Sequence, residues 1–488
     1  MSLDIEASPA DSPTQYARTD RIASGRLWRG VAMFGLPMVV GMVLYGAFNL
    51  IDMFMLSRLE NAAQVLAALG VCDMVFALAS IVAMGISNGS VALIARRAGE
   101  GDREGVREAA WQSLLLMTFA SVAVGLVGIL GANWVATDVM QMKGEVARLG
   151  GDYLQVMLGG AFSMFLLLQV TAILRALGHA RSAASLLVAG NALNVLLNAV
   201  LIYGTGPHPD IFAWAGPVAE VFGVPRLGMV GAAWATLIGR TVPVIAGAVY
   251  LTALKDGLPL KALQLKVRWA LIRELLRLGW PSAAQLVLRV GVVLVFLSLV
   301  AASYTSQQDA TVLTAYSICL RLEVMVLFMS LGWGAAASTY VAISLGANRR
   351  ARAINAGFVA ALCSVLSALL CVALFQLYAE SILGFFDPSP AVVHAGKTYL
   401  TIVGWSYLAL AFGVVLSQGM AGAGATLSSF VLDALVLLSL VIPASLLVVR
   451  GLGLDVEVLW VVIASGNVLA GAVYGAYFRR GTFLEARV

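Results

Sequence analysis

Charge is scarce in this chain of 488 residues. Asp, Glu, Lys and Arg make up 12% of it against 60% apolar residues, where a soluble domain carries roughly 25% charged residues. A water-soluble globular protein is thereby excluded, because no core could absorb so much apolar surface. Histidine is nearly missing as well. His179, His208 and His394 fall in three separate expected loops, so no zinc site or His-centred catalytic cluster can be assembled from them. The four cysteines, Cys72, Cys319, Cys363 and Cys371, each lie in an apolar run, where a thiol behaves as a small hydrophobe. They give no disulfide framework and no metal site. Nucleotide-binding loops are absent: Gly396-Lys397-Thr398 has Ala391 where a leading glycine belongs, and Gly422-Ala423-Gly424 has Leu427 in the third glycine's place. Direct ATP coupling and dinucleotide chemistry therefore drop out, and the sequence reads as a non-enzyme without a cofactor. The net charge of +5 is spread singly over short loops rather than gathered on one face, which speaks against a nucleic-acid partner.

What is present is a long series of apolar runs. A helix needs about 20 mostly apolar residues to cross the hydrocarbon of a bilayer, and charged or Gly/Pro-rich breaks divide the chain into twelve such runs. They are placed at 31–56, 64–95, 109–131, 151–175, 182–203 and 228–251, then at 273–303, 311–343, 353–378, 397–418, 426–449 and 456–478. Cytoplasmic loops retain Lys and Arg. With both termini inside, twenty-two of the basic residues lie in inner segments and six, Arg58, Lys143, Arg148, Arg226, Lys397 and Arg450, in outer ones. That ratio sets the expected orientation. Residues 1–29 have no apolar core of the signal-peptide kind, so they are expected to form a disordered cytoplasmic tail ahead of an uncleaved first helix.

The chain repeats itself. Gly35-Leu36-Pro37 opens the first helix and Gly279-Trp280-Pro281 the seventh, 244 residues on. Gly99 and Gly346 follow the second and eighth helices at an offset of 247, and Gly178 and Gly424 follow the fourth and tenth at 246. Two halves of six spans each keep the same orientation, the parallel-repeat plan in which substrate is handled at the repeat interface. The expected domains are the tail 1–29, an N-terminal lobe 30–251, a cytoplasmic connection 252–272, a C-terminal lobe 273–480 and a tail 481–488. The main asymmetry is the 204–227 loop with four prolines, open to reading as a lid or as a surface loop.

The order and spacing of several short segments resemble the multidrug and toxic compound extrusion (MATE) family over about residues 28–480. They are Pro37, Asn49-Leu50-Ile51-Asp52, the Gly99/Asp102 turn, Arg175-Ala176-Leu177-Gly178, Asn191 to Asn198, Gly228-Met229-Val230-Gly231-Ala232-Ala233, Tyr316 to Glu323 and Gly346-Ala347. The resemblance implies an all-α polytopic membrane protein of twelve helices in two six-helix lobes related by pseudo-twofold symmetry. It also implies exchange of external H⁺ or Na⁺ for a cytoplasmic organic cation or similar amphipath.

An ionisable group at membrane depth costs at least ~2.5 kcal/mol on insertion scales, so it faces a cavity or a partner. Asp52 is one turn from the outer end of the first helix, where it is either an interfacial acid or, as the resemblance implies, the coupling-cation site. Asn191, Asn194 and Asn198 share one face of the fifth helix at i, i+3, i+7, and Asn198 lies at the depth of Asp52. These amides either bond between helices or complete one cation site with Asp52; many relatives carry an acid where Asn198 stands. In the second half Arg289 is expected near the midplane, with Glu323 as its first candidate partner, while Arg321 points to another face of the same helix as Glu323. A basic residue at 289, where sodium-type relatives tend to carry an acid, favours protons over sodium. Asp73, Arg240 and Asp433 match no family position and receive no role. Methionines 33, 38, 42, 53 and 55 fit either an adaptable ligand wall or ordinary packing.

The expected function is thus a cation-coupled antiporter, H⁺ ahead of Na⁺, exporting small amphipathic molecules as a monomer in the bilayer of a bacterial inner membrane. Asp52, Asn194 and Asn198 form the coupling group; Asn191, Arg289, Arg321 and Glu323 form the cavity or lobe-internal polar set. The alternative, a flippase for a lipid-linked precursor, draws on Arg289 and Arg321 as holders of a diphosphate.

Overall fold

A computed structural model describes residues 22–254, 266–306 and 309–485; most of the expected tail 1–29, residues 255–265 of the connection and the last three residues of the 481–488 tail lie outside them. The apolar runs form the expected spans: α1 Leu27–Leu56, α2 Ala62–Glu100, α3 Arg103–Val139, α5 Ala180–Tyr203, α6 Gly228–Ala253, α7 Trp269–Ser303, α8 Thr311–Gly346, α9 Arg350–Leu377, α10 Pro390–Gly422, α11 Thr426–Gly451 and α12 Val456–Arg480. The fourth span, α4, is a pair of helices, Gly144–Gly159 and Ala161–Ala176, bent by 41° at Gly160. Several helices outrun their apolar cores because amphipathic turns continue them beyond the hydrocarbon. Asp102 caps α3, accepting from the Gly105 amide at 2.9 Å.

The repeat markers have structural reasons. Gly178 and Gly424 both take left-handed backbone, φ 83° and 85°, at the turns after α4 and α10, where a side chain would be strained. Gly35, Gly85, Gly99, Gly279, Gly332 and Gly346 sit on the seam between the lobes. A Cβ on Gly85 would lie 2.8 Å from the Gly279 carbonyl, and one on Gly279 would lie 2.9 Å from the Gly85 carbonyl. Gly332 packs on the backbone of Val39, and Gly35 takes the Trp333 ring. Without a hydrophobic drive between helices in lipid, close backbone approach through small residues is what holds such a seam.

Every one of these approaches lies in the halves of α1, α2, α7 and α8 nearer the described chain termini. The outermost aromatic pair across the seam is Tyr45 with Phe328, ring centroids 5.9 Å apart. Beyond it no ring, glycine or hydrogen-bond contact joins the lobes among the described residues, which leaves a cleft at the end opposite the termini. Within the lobes α1 barely touches α2, and α7 barely touches α8, so each lobe has a slot facing the cleft. At the closed end Arg352 donates to the carbonyls of Ile22 and Gly25 at 2.8 and 2.6 Å, tying the entry of α1 to the start of α9.

In the 204–227 loop a short helix, Ala215–Phe222, packs at the end of α5. Arg226 bridges Glu60 at 2.8 Å, and this guanidinium holds the Glu60 carboxyl below the usual carboxylate range.

Candidate functional site

The N-terminal lobe builds a polar site from three helices. Glycines bring α5 and α6 together: a Cβ on Gly190 would meet the Gly239 carbonyl at 2.8 Å, and one on Gly239 would meet Asn194 Cβ at 2.9 Å. That approach sets buried Asn194 beside Thr236 of α6 and turns Asn198, one turn on, toward α1. Asn198 donates through Nδ2 to Asp52 Oδ1 at 2.6 Å. The Asn194 amide satisfies all its neighbours when its nitrogen faces the acid. It then donates to Asp52 Oδ1 and Oδ2 at 3.0 and 3.2 Å and accepts from Thr236 Oγ1 at 3.0 Å. Asp52 is therefore held by two amide donors from one helix face. The Asn191 side chain, though on that face, makes no hydrogen bond to a described residue; it lies one turn further from Asp52 than Asn194.

Two residues given no role by sequence stand at the same slot. Asp73 of α2 is exposed. Arg240 of α6 rests over the Phe76 ring, 5.2 Å from its centroid, one turn of α2 from Asp73. Both feel the charge of Asp52. Their depth was the available signal; what sequence could not give was that the Arg240 side chain reaches from α6 to Phe76 of α2.

The C-terminal lobe corrects one expectation. Arg289 is ion-paired, but with Asp433 rather than Glu323: Nε donates to Oδ2 at 2.6 Å. The reason is the slot itself. α7 packs on α11 and barely touches α8, so Asp433, buried on α11, is the carboxylate in reach. Gln285, one turn before Arg289, donates to the same oxygen at 2.8 Å, and the Tyr474 hydroxyl donates to Asp433 Oδ1 at 2.8 Å. The pair is neutral overall and well bonded, which is what a buried charge pair requires.

Glu323 faces α10 instead, with the hydroxyls of Tyr399 and Tyr407 as its polar neighbours. Arg321 is exposed and bonds to no described residue. It shares a stripe of α8 with Phe328 and Gly332, seven and eleven residues on, which touch α1. The side chain thus lines the cleft two turns outward of the seam. Chemically, the N-lobe slot presents a carboxylate held by amide donors, the C-lobe slot holds a compensated pair, and Arg321 stands on the cleft wall without a bonded partner among the described residues.

The MatE family model matches residues 37–200 and 288–447, one block in each half. Among curated relatives, the probable multidrug resistance protein YoeA of Bacillus subtilis is 24% identical over 450 residues, 91% of each chain. The probable multidrug resistance protein NorM of Thermotoga maritima is 23% identical over 93% of this chain and 92% of its own. The FAD transporter of Shewanella oneidensis is 22% identical over 87% of this chain and 89% of its own. Among solved structures, a multidrug resistance MATE family transporter in an outward-facing conformation superposes with a TM-score of 0.84 at 23% identity, over 96% of this chain and 99% of that one.

Proposed function

The chain belongs to the MatE family and is a membrane-spanning transporter of small molecules rather than an enzyme, and from that premise we propose that it exchanges external protons for cytoplasmic amphipathic compounds, organic cations first among them. The observation that carries this is Asp52 held by Asn194 and Asn198 in a slot that faces the cleft. Both amides present N–H groups to the carboxylate. A metal ion would need oxygen ligands there, whereas a proton needs only the carboxylate, so H⁺ is favoured over Na⁺. Arg289 contributes nothing to that choice, since Asp433 already meets its charge.

Orientation comes from the distribution of Lys and Arg, which puts both termini and the closed end of the seam in the cytoplasm of a bacterial cell. The cleft then opens outward, with lobes 30–251 and 273–480 rocking about the seam to expose the slots alternately; one chain suffices as the transporting unit. The test is export from proteoliposomes under an imposed proton or sodium gradient, with a panel of organic cations. Wild type should respond to the proton gradient. Asp52→Asn should abolish that response while substrate binding survives, and proton-driven export by Asp52→Asn at the wild-type rate would defeat the reading.

A second substrate reading rests on Arg321, the unpaired guanidinium on the cleft wall. It can hold a carboxylate or phosphate, and one relative bears the name of FAD transporter. The flippase reading counted on two arginines, and Arg289 is committed to Asp433, which leaves it one.

A further inference from the structure

The N-lobe slot carries a cation of its own. Arg240 lies one turn beyond Thr236 on α6, and Thr236 is the residue that bonds Asn194; the two therefore share the face of α6 that looks on to Asp52. The guanidinium rests over Phe76 and feels both Asp52 and Asp73. Among the described residues it closes no ion pair within 4.0 Å. An arginine serving only to pin helices would be expected to clasp a carboxylate, as Arg289 does with Asp433. Arg240 instead stacks on Phe76, within electrostatic range of Asp52 and Asp73, and clasps neither.

The groups gathered at the slot are Asp52 from α1, Asp73 from α2, Tyr153 from α4, Asn194 and Asn198 from α5 and Arg240 from α6. A guanidinium keeps its charge at any working pH. With both acids ionised the slot thus holds two negative charges and one fixed positive charge; one proton on Asp52 then makes it neutral. A proton joins the carboxylate oxygen and occupies no further space. An alkali ion must sit beside the carboxylate, with several oxygen ligands, in the region where the guanidinium already contributes its charge.

We infer that Arg240 is the residue that decides the coupling ion, a tethered cation whose charge opposes sodium at Asp52 and leaves the slot open to protons alone. The inference rests on Asp52 being the coupling group. Arg240 touches no substrate in this role; it acts on the carboxylate, and its effect is ion selectivity.

The experiment uses the full chain in proteoliposomes, comparing wild type, Arg240→Met and Arg240→Lys under a sodium gradient at equal pH on both sides, and under a proton gradient without sodium. Wild type and Arg240→Lys should ignore sodium. Arg240→Met, which keeps the stem and removes the charge, should gain sodium-driven export at a gradient where wild type shows none, with export under that gradient on the order of tenfold above the wild-type background, as expected from removing a nearby like charge. If the Met variant does not reach the membrane in folded form, Arg240→Gln takes its place. A Met or Gln variant that exports under a proton gradient but stays blind to sodium overturns the inference, as does wild-type export driven by sodium. Loss of both drives with substrate binding intact would make Arg240 a structural pin and overturn it too. Failure of the underlying reading shows separately, as proton-driven export by Asp52→Asn.

Discussion

Gly99 and Gly346 cross back to back at the closed end of the seam: a Cβ on Gly99 would strike the carbonyl of Ile343, and a Cβ on Gly346 the carbonyl of Arg96. Each glycine is the other's counterpart in the sequence repeat, so the pseudo-twofold relation between the lobes passes through this contact. α2 and α8 can approach this closely only because both positions lack a side chain.

Gly99→Val should therefore wedge the seam open and weaken the state in which this end is closed. The expected cost is about 1–3 kcal/mol of overpacking, seen as a lower melting temperature in detergent together with slower export. Gly131→Val is the control, since nothing lies within 4 Å of a Cβ there. Equal behaviour of the two variants would remove the seam from the argument.

Breaking the Arg289–Asp433 pair should be worse than deleting it. Asp433→Asn leaves a guanidinium deep in the lobe without its carboxylate, a loss of roughly 3 kcal/mol. Arg289→Met combined with Asp433→Leu removes both charges and should recover most of that stability. Thermal unfolding of the three purified proteins decides it; a double variant no more stable than Asp433→Asn would show that the pair is not the source of the loss.

The charge-based orientation predicts opposite accessibility for two exposed acids, Glu104 in the first turn of α3 and Glu220 in the short helix of the 204–227 loop. In intact cells a membrane-impermeant maleimide should modify Glu220→Cys and spare Glu104→Cys. The native cysteines give little background, because three are buried and Cys371 is partly so. Modification of both variants, or of Glu104→Cys alone, would reverse the topology.

Arg321 should bear on anions and not on cations. Arg321→Gln should raise the concentration for half-maximal export of an anionic substrate on the order of tenfold and leave that of an organic cation unchanged or lower. A parallel loss for both substrate types would assign Arg321 to the folding of α8 instead.

The sequence by itself determined the solvent, the twelve spans and the repeat, because each is written in local composition: apolar runs of spanning length, breaks between them, and glycines returning at one offset. It also put Asp52 and Asn198 at one depth, since helical rise fixes depth along a span. What it left to the tertiary structure was which helices adjoin. Arg289 and Glu323 share a depth, yet α7 packs on α11 and leaves α8 across a slot, so Asp433 became the partner. Asn191 shares a face with Asn194 and Asn198 but lies a turn further from Asp52 and makes no side-chain bond to it. Arg240 and Phe76, far apart in sequence, come together only because the long Arg240 side chain reaches across from α6 to the ring on α2. Depth is a property of one helix and periodicity reveals it; adjacency depends on how glycine-lined faces of different helices fit together, and that is decided when the lobes pack.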